Sequence, residues 1–210
     1  MDNYNFDICH HDDDPFAVVV DVETTGLINE EGIPTKKKLN EWDEGYPRIV
    51  QIAWIVLSRK YRAVSKGAYV IYPTKKIPAR ATEIHGISTE MAKEVGFDLK
   101  KVLFEFRSQI EYCDYYIGHN VQFDKYVIEA ECIRQGVKKP FSRKTSYDTM
   151  KMGKSFMEKK WFKLSDIATK FKIQFQKPPE DKEISYHNAE YDVATTAAIF
   201  CALHSRDVKY

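Results

Sequence analysis

Three stretches in the first third of the chain have the apolar pattern of β-strands. Residues 16–22, 49–57 and 67–72 are rich in β-branched and aromatic side chains. Short apolar runs of this kind, bounded by polar segments, are typical of strands in a protein core. A long polar segment, residues 28–47, separates the first strand from the second and is predicted to be a loop.

Helical patterns dominate the rest of the chain. Between residues 98 and 114, apolar side chains recur every three or four positions, as in an amphipathic helix. A short apolar stretch at 115–118 predicts a fourth strand, and residues 172–185 are predicted to be irregular. The other predicted helices cover residues 121–135, 149–156, 164–171 and 189–203. Three strands followed by alternating strand and helix predict one α/β domain with a mixed sheet flanked by helices.

The end of the first predicted strand carries two carboxylates. The sequence there reads Val18-Val19-Val20-Asp21-Val22-Glu23-Thr24-Thr25-Gly26-Leu27. Side chains two positions apart in a strand lie on the same face, so Asp21 and Glu23 project together. Two neighbouring anions in a core are costly without a cation between them. The motif therefore favours a divalent metal site over the alternative of two solvated acids, and the remaining ligands must come from elsewhere.

Two further acidic elements lie in the second half of the chain. In Gly118-His119-Asn120-Val121-Gln122-Phe123-Asp124, the acid falls in the first turn of a predicted helix, where it could simply stabilise the helix dipole. In His187-Asn188-Ala189-Glu190-Tyr191-Asp192, we place His187 just before the last helix and Asp192 in its first turns. The simpler alternative makes Asn188 a helix cap and His187 a surface residue. Each alternative is reasonable alone, but the three elements together favour a common site.

The formal net charge of +1 conceals an uneven distribution. Residues 1–35 contain nine acids and no lysine or arginine, whereas residues 134–177 contain thirteen lysines and arginines against three acids. The basic segment is either a solvated face or a footprint for a polyanion lying beside an acidic, metal-loaded site.

Neither the cysteines nor the apolar residues indicate a secreted or membrane protein. Cys9, Cys113, Cys132 and Cys201 form no Cys-x-x-Cys pair, which favours reduced core thiols in a cytoplasmic protein over structural zinc. No apolar stretch approaches the ~18–20 residues of a transmembrane helix. Residues 1–15 are polar and acidic, without the pattern of a signal peptide.

Taken together, the motifs Asp-x-Glu-Thr-Thr-Gly, His-Asn-x-x-Phe-Asp and His-x-x-x-x-Asp resemble those of the DEDDh branch of the DnaQ-like 3′–5′ exonucleases. This family includes the epsilon subunit of bacterial DNA polymerase III, RNase T and oligoribonuclease. The resemblance covers residues 16–205, which we expect to form an exonuclease domain after an acidic segment at residues 1–15. It implies a ribonuclease H-like fold with a central mixed sheet between helices.

The resemblance also implies hydrolysis of phosphodiester bonds with two metal ions. Two hard cations ~3.5–4 Å apart can activate water and stabilise a departing 3′-oxygen, and Mg²⁺ or Mn²⁺ prefers oxygen ligands. By resemblance, Asp21 bridges both ions, Glu23 and Asp192 complete the site of the ion that activates water, and Asp124 holds the other ion. His187, with a reference pKa near ~6.5, suits a general base.

Residues that contact the substrate follow from the same resemblance. Thr24, Thr25 and Gly26 present backbone amides and hydroxyls to the terminal nucleotide, and Leu27 wedges against its base. Asn120 and Phe123 contact the sugar and stack on a base, although Phe123 is equally well explained as a core residue.

Two other residues have a functional and a simpler interpretation. His85 matches a family segment that approaches the 3′ end, and it could equally end a short helix before Gly86. Asp148 is either a neighbour of the metal ligands or the cap of the next helix.

We predict a 3′–5′ exonuclease that releases nucleoside 5′-monophosphates from single-stranded or frayed DNA ends, in proofreading or repair. One alternative is a 3′–5′ exoribonuclease of RNase T or oligoribonuclease type, which shares every catalytic residue and differs in its handling of the 2′-hydroxyl. The other is a catalytically silent nucleic-acid-binding module, which has no need of the complete acidic set. Association with a polymerase or a second copy of the chain is possible, but no polymerase tether or sliding-clamp peptide supports it in the sequence.

Overall fold

The computed structural model describes residues 14–157, 162–173 and 188–207. The strands within these ranges are β1 Pro15–Thr24, β2 Ile49–Ser58, β3 Ala63–Val70, β4 Tyr115–Gly118 and β5 Thr145–Asp148. The helices are α1 Lys36–Glu41, α2 Ala79–His85, α3 Thr89–Val95, α4 Leu99–Gln109, α5 Val121–Gln135, α6 Thr149–Gly153, α7 Leu164–Lys170 and α8 Ala189–Asp207. Short 3₁₀ turns lie at Asp43–Gly45 and Lys154–Phe156.

The five strands form one mixed sheet in the order β3-β2-β1-β4-β5. The β1–β2 and β2–β3 pairs are antiparallel, whereas β1–β4 and β4–β5 are parallel. β1 therefore lies at the centre of the sheet. The predicted α/β fold, a ribonuclease H-like mixed sheet flanked by helices, is confirmed.

The two faces of β1 pack against different helices. Val18, Val20 and Val22 belong to the larger core, which includes apolar residues of α4 and α5. Ala17 and Val19 belong to a second core built mainly from α8. Because side chains alternate along a strand, the odd-numbered positions that follow Val19 continue the face covered by α8.

The predicted loop at 28–47 is not wholly irregular, because it contains α1 and a 3₁₀ turn. Leu39 and Tyr46 are buried against Ala130 of α5, and this contact explains why the segment folds back onto the domain. The strand β5 was not predicted, because its sequence is largely polar. It forms through a parallel ladder with β4 that pairs Tyr115 with Thr145 and Gly118 with Asp148.

Three of the four cysteines are buried, free thiols, as predicted: Cys113, Cys132 and Cys201. Burial raises the pKa of each to about 12, so these thiols are protonated and unreactive at neutral pH. Cys9 lies outside the described residues. Within the described ranges, no helix combines the length and the apolarity that crossing a membrane requires.

Candidate metal and active site

The three acids that the sequence places in one metal site lie together in the structure. Asp21 and Glu23 are at the carboxyl end of β1, on the face covered by α8. Asp192 is in the first turn of α8. One carboxylate oxygen of each residue lies within 4.8 Å of the other two, and all three side chains are partly exposed. A cation can therefore reach this cluster from solvent.

Asp124 approaches the same strand end from a different element. It is buried in the first turn of α5, and its Oδ1 accepts a hydrogen bond of 3.0 Å from the backbone N–H of Val22. The β1–β4 ladder ends at the pair of Val19 with Ile117, so Val22 is beyond its last pair. Asp124 is thus anchored to the backbone between the two acids of β1, and its carboxylate is adjacent to the three-acid cluster rather than within it.

Burial raises the pKa of every acid in this group, and repulsion by neighbouring acids raises it further for Asp21, Glu23 and Asp124. The pKa of Asp21 is raised first by burial and then by the charges of Asp124, Asp192 and Glu23. Burial, and then Asp192, raise the pKa of Glu23 to about 8. Burial raises the pKa of Asp192 to about 7. Burial also raises the pKa of Asp124, against the hydrogen bond from Val22.

The donor set fits a divalent cation. None of the ion pairs formed between described residues involves these four acids. Several carboxylates converging on one small space, without a lysine or arginine partner in the described part of the chain, provide the all-oxygen ligands that Mg²⁺ and Mn²⁺ prefer. A bound cation would also relieve the repulsion that raises the pKa values.

The raised pKa values predict an unusual pH dependence of stability in the presence of a chelator. The ordinary pKa values of Glu23 and Asp192 are 4.5 and 3.8, and their pKa values in the folded protein are about 8 and about 7. Protonation of these two side chains therefore favours the folded state. This stabilisation is lost as the pH rises from the ordinary pKa values through those of the folded protein. We expect the melting temperature in EDTA to be higher at pH 5 than at pH 8. Because about 1 kcal/mol shifts Tm by about 2–4 °C in a chain of this size, the difference should be several degrees.

A variant with both Glu23→Gln and Asp192→Asn isolates this effect. The two neutral side chains cannot titrate, so its melting temperature should depend less on pH than that of the wild type. Asp43, whose pKa is lowered by Arg134, Arg48 and Lys75 despite burial, acts in the opposite direction but is unchanged in the variant. An identical pH slope in the two proteins would contradict the assignment of the raised pKa values to the acidic cluster.

Asp148 is the cap of α6, as the simpler interpretation held. Its Oδ1 accepts hydrogen bonds of 3.0 Å from the backbone N–H groups of Met150 and Asn120. Asn120 has a left-handed backbone, with φ of 65°, at the start of α5. Asp148 therefore joins the starts of α5 and α6, and its charge contributes to raising the pKa of Asp124.

Asn120 and Phe123, which are both predicted to contact the substrate, differ in the exposure of their side chains. The Asn120 side chain is exposed, whereas Phe123 is half-buried and packs against the larger core. The core interpretation of Phe123 is thus correct for part of its surface, and the rest remains accessible for the predicted stacking on a base.

The hydroxyls of the turn after β1 are used within the protein. Thr24 Oγ1 donates a hydrogen bond of 2.6 Å to the carbonyl of Gly26. Thr25 Oγ1 accepts from the N–H of Arg48 at 3.0 Å, and the N–H of Thr25 donates to the carbonyl of Arg48 at 3.0 Å. The turn is therefore held rigidly against the start of β2. Leu27 is 76% exposed, and a cavity of about 190 Å³ adjoins the turn.

The two histidines predicted to act in the site have different outcomes. His85 is buried at the end of α2, where Gly86 follows with a left-handed φ of 77°. Its Nδ1 accepts a hydrogen bond of 3.1 Å from the N–H of Ile87. The position of His85 therefore fits the simpler of its two interpretations, in which it ends a short helix before Gly86. His187 lies outside the described residues. Asn188 directly precedes α8, and its side chain caps that helix by accepting from the N–H of Glu190 at 3.0 Å.

His119 was not assigned a role from the sequence, yet it connects three segments. Its Nε2 contacts the carbonyl of Phe162 at 3.1 Å, and its Nδ1 contacts the hydroxyl of Thr149 at 3.0 Å. Burial lowers its pKa, so the ring is neutral and Nε2–H can donate to the carbonyl. Both partners are far away in sequence, and the sequence therefore contained no signal for this role.

Only part of the basic segment at 134–177 is engaged within the fold, because seven of the ten lysines and arginines described in it are exposed. The guanidinium of Arg134 donates to Asp43 and lies in the ion-pair group around it. Lys139 pairs with Glu129 at 3.0 Å, and Lys144 donates to the carbonyl of Cys113. These three cations have structural roles, whereas contact of the segment with a polyanion stays a prediction. The cations of the segment that are exposed include Lys138 and Arg143.

Several known proteins are similar to this chain in sequence or in fold. It is 26% identical over 185 residues to the 3′-5′ exonuclease DinG of Bacillus subtilis, covering 87% of this chain but only 17% of DinG. It is 25% identical over 188 residues to DNA polymerase III subunit epsilon of Rickettsia prowazekii, covering 89% of this chain and 72% of that protein. Exonuclease X, solved in complex with 5′ overhanging duplex DNA, superposes with a TM-score of 0.62 at 19% identity, over 91% of this chain and 92% of that chain.

The match to a family model covers most of the chain. The RNase T model, described as exonuclease, matches residues 18–200, a range that begins within β1 and ends within α8. The range includes all four acids of the candidate site. The chain belongs to the RNase T exonuclease family and is an enzyme of the hydrolase class.

Proposed function

We propose that this chain is a divalent-metal-dependent 3′–5′ exonuclease that releases nucleoside 5′-monophosphates from DNA 3′ ends. The observation that carries the proposal is the convergence of Asp21, Glu23 and Asp192, with one oxygen of each within 4.8 Å of the others. A module that only binds nucleic acid has no need of such a costly convergence of like charges.

The acids of the site have distinct proposed roles. Asp21, Glu23 and Asp192 would hold one Mg²⁺ or Mn²⁺ ion, and Asp21 and Asp124 would hold a second. Two bound ions of this kind would supply an activated water and stabilise the departing 3′-oxygen. The hydrogen bond from Val22 to Asp124 orients that carboxylate, so its position does not depend on the metal alone.

His187 is the proposed general base. It directly precedes Asn188, which caps the helix that carries Asp192. In its neutral form, an imidazole nitrogen of His187 takes the proton of the attacking water. The proton then leaves to solvent, because a reference pKa near ~6.5 makes the ring both a competent base and a ready acid near neutral pH.

DNA is the proposed substrate, and the relatives support it. Exonuclease X was solved with duplex DNA, and the epsilon relative is named as a subunit of a DNA polymerase. In this chain, the exposed Leu27 and the accessible part of Phe123 offer apolar surface on which an unpaired terminal base can stack. Single-stranded or frayed 3′ ends provide such bases. A polymerase partner and a cytoplasmic location stay predictions.

Matched DNA and RNA oligonucleotides of one sequence, labelled at the 5′ end, test the proposal. With Mg²⁺ or Mn²⁺, we expect a ladder of products shortened from the 3′ end, faster on single-stranded DNA than on RNA, with 5′-mononucleotides released. EDTA should abolish the ladder and added metal should restore it. Faster degradation of RNA would reassign the substrate class. Undiminished activity in EDTA would contradict the metal-dependent mechanism.

A further inference from the structure

A side-chain clamp from β2 holds the start of α8. The Oε1 atom of Gln51 accepts a hydrogen bond of 3.0 Å from the backbone N–H of Ala189, and its Nε2 donates to Oδ1 of Asn188 at 3.3 Å. The same Asn188 oxygen accepts from the N–H of Glu190 at 3.0 Å. Gln51 and Asn188 are buried, with 6% and 9% exposure. One carboxamide thus engages both the cap and the first residue of the helix.

Gln51 lies where the two halves of the acidic cluster meet. In the β1–β2 ladder it is directly opposite Glu23, so its side chain is on the same face of the sheet as Glu23 and Asp21. On the other side of the clamp, the carbonyl of Asn188 accepts the backbone N–H of Asp192 at 3.0 Å. The clamp therefore connects the strand that carries two of the acids to the helical turn that carries the third.

Near the start of α8, the other contacts with the sheet have little directional character, since the hydrogen bond between His204 and Tyr61 lies near the other end of the helix. Val193, Ala197 and Phe200 are buried in the second core, whose sheet side consists of apolar residues such as Ala17 and Ala53. Apolar burial is roughly proportional to area and does not depend on direction, so it allows small shifts of the helix along the sheet. Hydrogen bonds require specific distances and angles. The clamp is therefore the contact suited to setting the position of the first turn.

We propose that Gln51 is a positioning residue of the exonuclease site. It sets the first turn of α8 so that the Asp192 carboxylate reaches Asp21 and Glu23 at the separation a shared cation needs. This inference rests on the proposed function, because it assigns Gln51 a role in the same metal site. Replacing a residue that orients the metal ligands without itself binding the metal typically lowers metal affinity or activity by about 10–100-fold.

Gln51→Met tests this role, because methionine has a similar length but cannot form either hydrogen bond. Gln109→Met is a matched control. Gln109 Oε1 accepts from Trp54 Nε1 of β2 at 2.9 Å, and Trp54 lies in the larger core on the other face of the sheet. Each variant loses a side-chain hydrogen bond in which a residue of β2 takes part. Only Gln51→Met loses hydrogen bonds between β2 and the start of α8.

The variants are compared by Mn²⁺ titration calorimetry without substrate, and by kcat and KM on single-stranded DNA at saturating Mn²⁺. We expect Gln51→Met to bind Mn²⁺ about 10-fold more weakly or worse and to lower kcat by about 10–100-fold. KM for DNA should change less than about 3-fold, because the clamp contacts no predicted substrate residue. Gln109→Met should lose thermal stability only. Equal Mn²⁺ affinity and kcat in the two variants would overturn the role of Gln51.

Asn188→Ser provides a second test if Gln51→Met does not fold. Serine can still cap α8 through Glu190, but it is too short to keep the bond to Gln51. It should reproduce the loss of Mn²⁺ affinity, and wild-type affinity in this variant would again overturn the proposal. Failure of the proposed function is recognised separately, because the wild-type protein would then not degrade DNA with any metal.

Discussion

Asp21→Asn is expected to lower kcat on single-stranded DNA by about 10³-fold or more while the protein remains folded. Asp21 is the proposed ligand of both ions, and its pKa is raised by burial and by the charges of all three acidic neighbours. Asparagine has nearly the same shape but no charge, and the loss of a group that acts as part of a catalytic unit typically costs several orders of magnitude.

The same substitution should not destabilise the metal-free protein. It removes a group that is repelled by Asp124, Asp192 and Glu23, so the melting temperature in EDTA should equal or exceed that of the wild type. The stabilisation that Mn²⁺ confers on the wild type should be lost. Asp114→Asn is a control, because that exposed acid pairs only with the exposed Arg59 at 3.1 Å in the described structure. A near-normal rate for Asp21→Asn would remove Asp21 from the site.

His187→Gln is expected to slow hydrolysis by about 10²–10⁴-fold, which is the usual contribution of general-base catalysis. Metal and DNA affinity should be nearly unchanged, because the proposed role of His187 is to accept a proton. The wild-type rate should rise with pH as the imidazole becomes neutral. The variant should instead recover part of its activity at higher pH, because hydroxide replaces the missing base.

His204→Gln is the matched control, since His204 lies in α8 and contacts Tyr61 rather than the acidic cluster. Its rate and pH profile should be those of the wild type. If His187→Gln turns over normally at neutral pH, the histidine has the surface role that its position alone would suggest.

The strands with strong apolar patterns were predictable, and the polar ones were not. Residues 16–22 were recognised as a strand because a run of valines is buried on both faces of β1. β5 was missed because its four residues, Thr145–Asp148, are held by backbone hydrogen bonds to β4, which any side chain permits. The short helix α1 was missed because it packs through few apolar residues, chiefly Leu39.

The candidate site shows the same division between local and long-range information. Strand geometry predicts that Asp21 and Glu23 lie on the same face, and the sequence itself shows that they lie at the end of an apolar run. The prediction that Asp124 and Asp192 contribute to the site relied on the resemblance to a known family, because no local rule of chain geometry relates these two residues to β1. The engagement of Arg134, Lys139 and Lys144 within the fold was not predictable, since a run of charges is the same in sequence whether it is solvated or paired.

The sequence by itself determined the class of fold, the pair of acids at the end of β1 and the helix that presents Asp192. These features depend on side-chain periodicity and residue chemistry, which act over a few neighbouring positions. Only the tertiary structure decided that Asp124 binds the backbone of Val22 across 102 residues and that Gln51 binds the start of α8 across 138. Such contacts form because many apolar residues are buried together and bring distant elements into register. The local sequence around each of these residues does not indicate which distant residue it contacts.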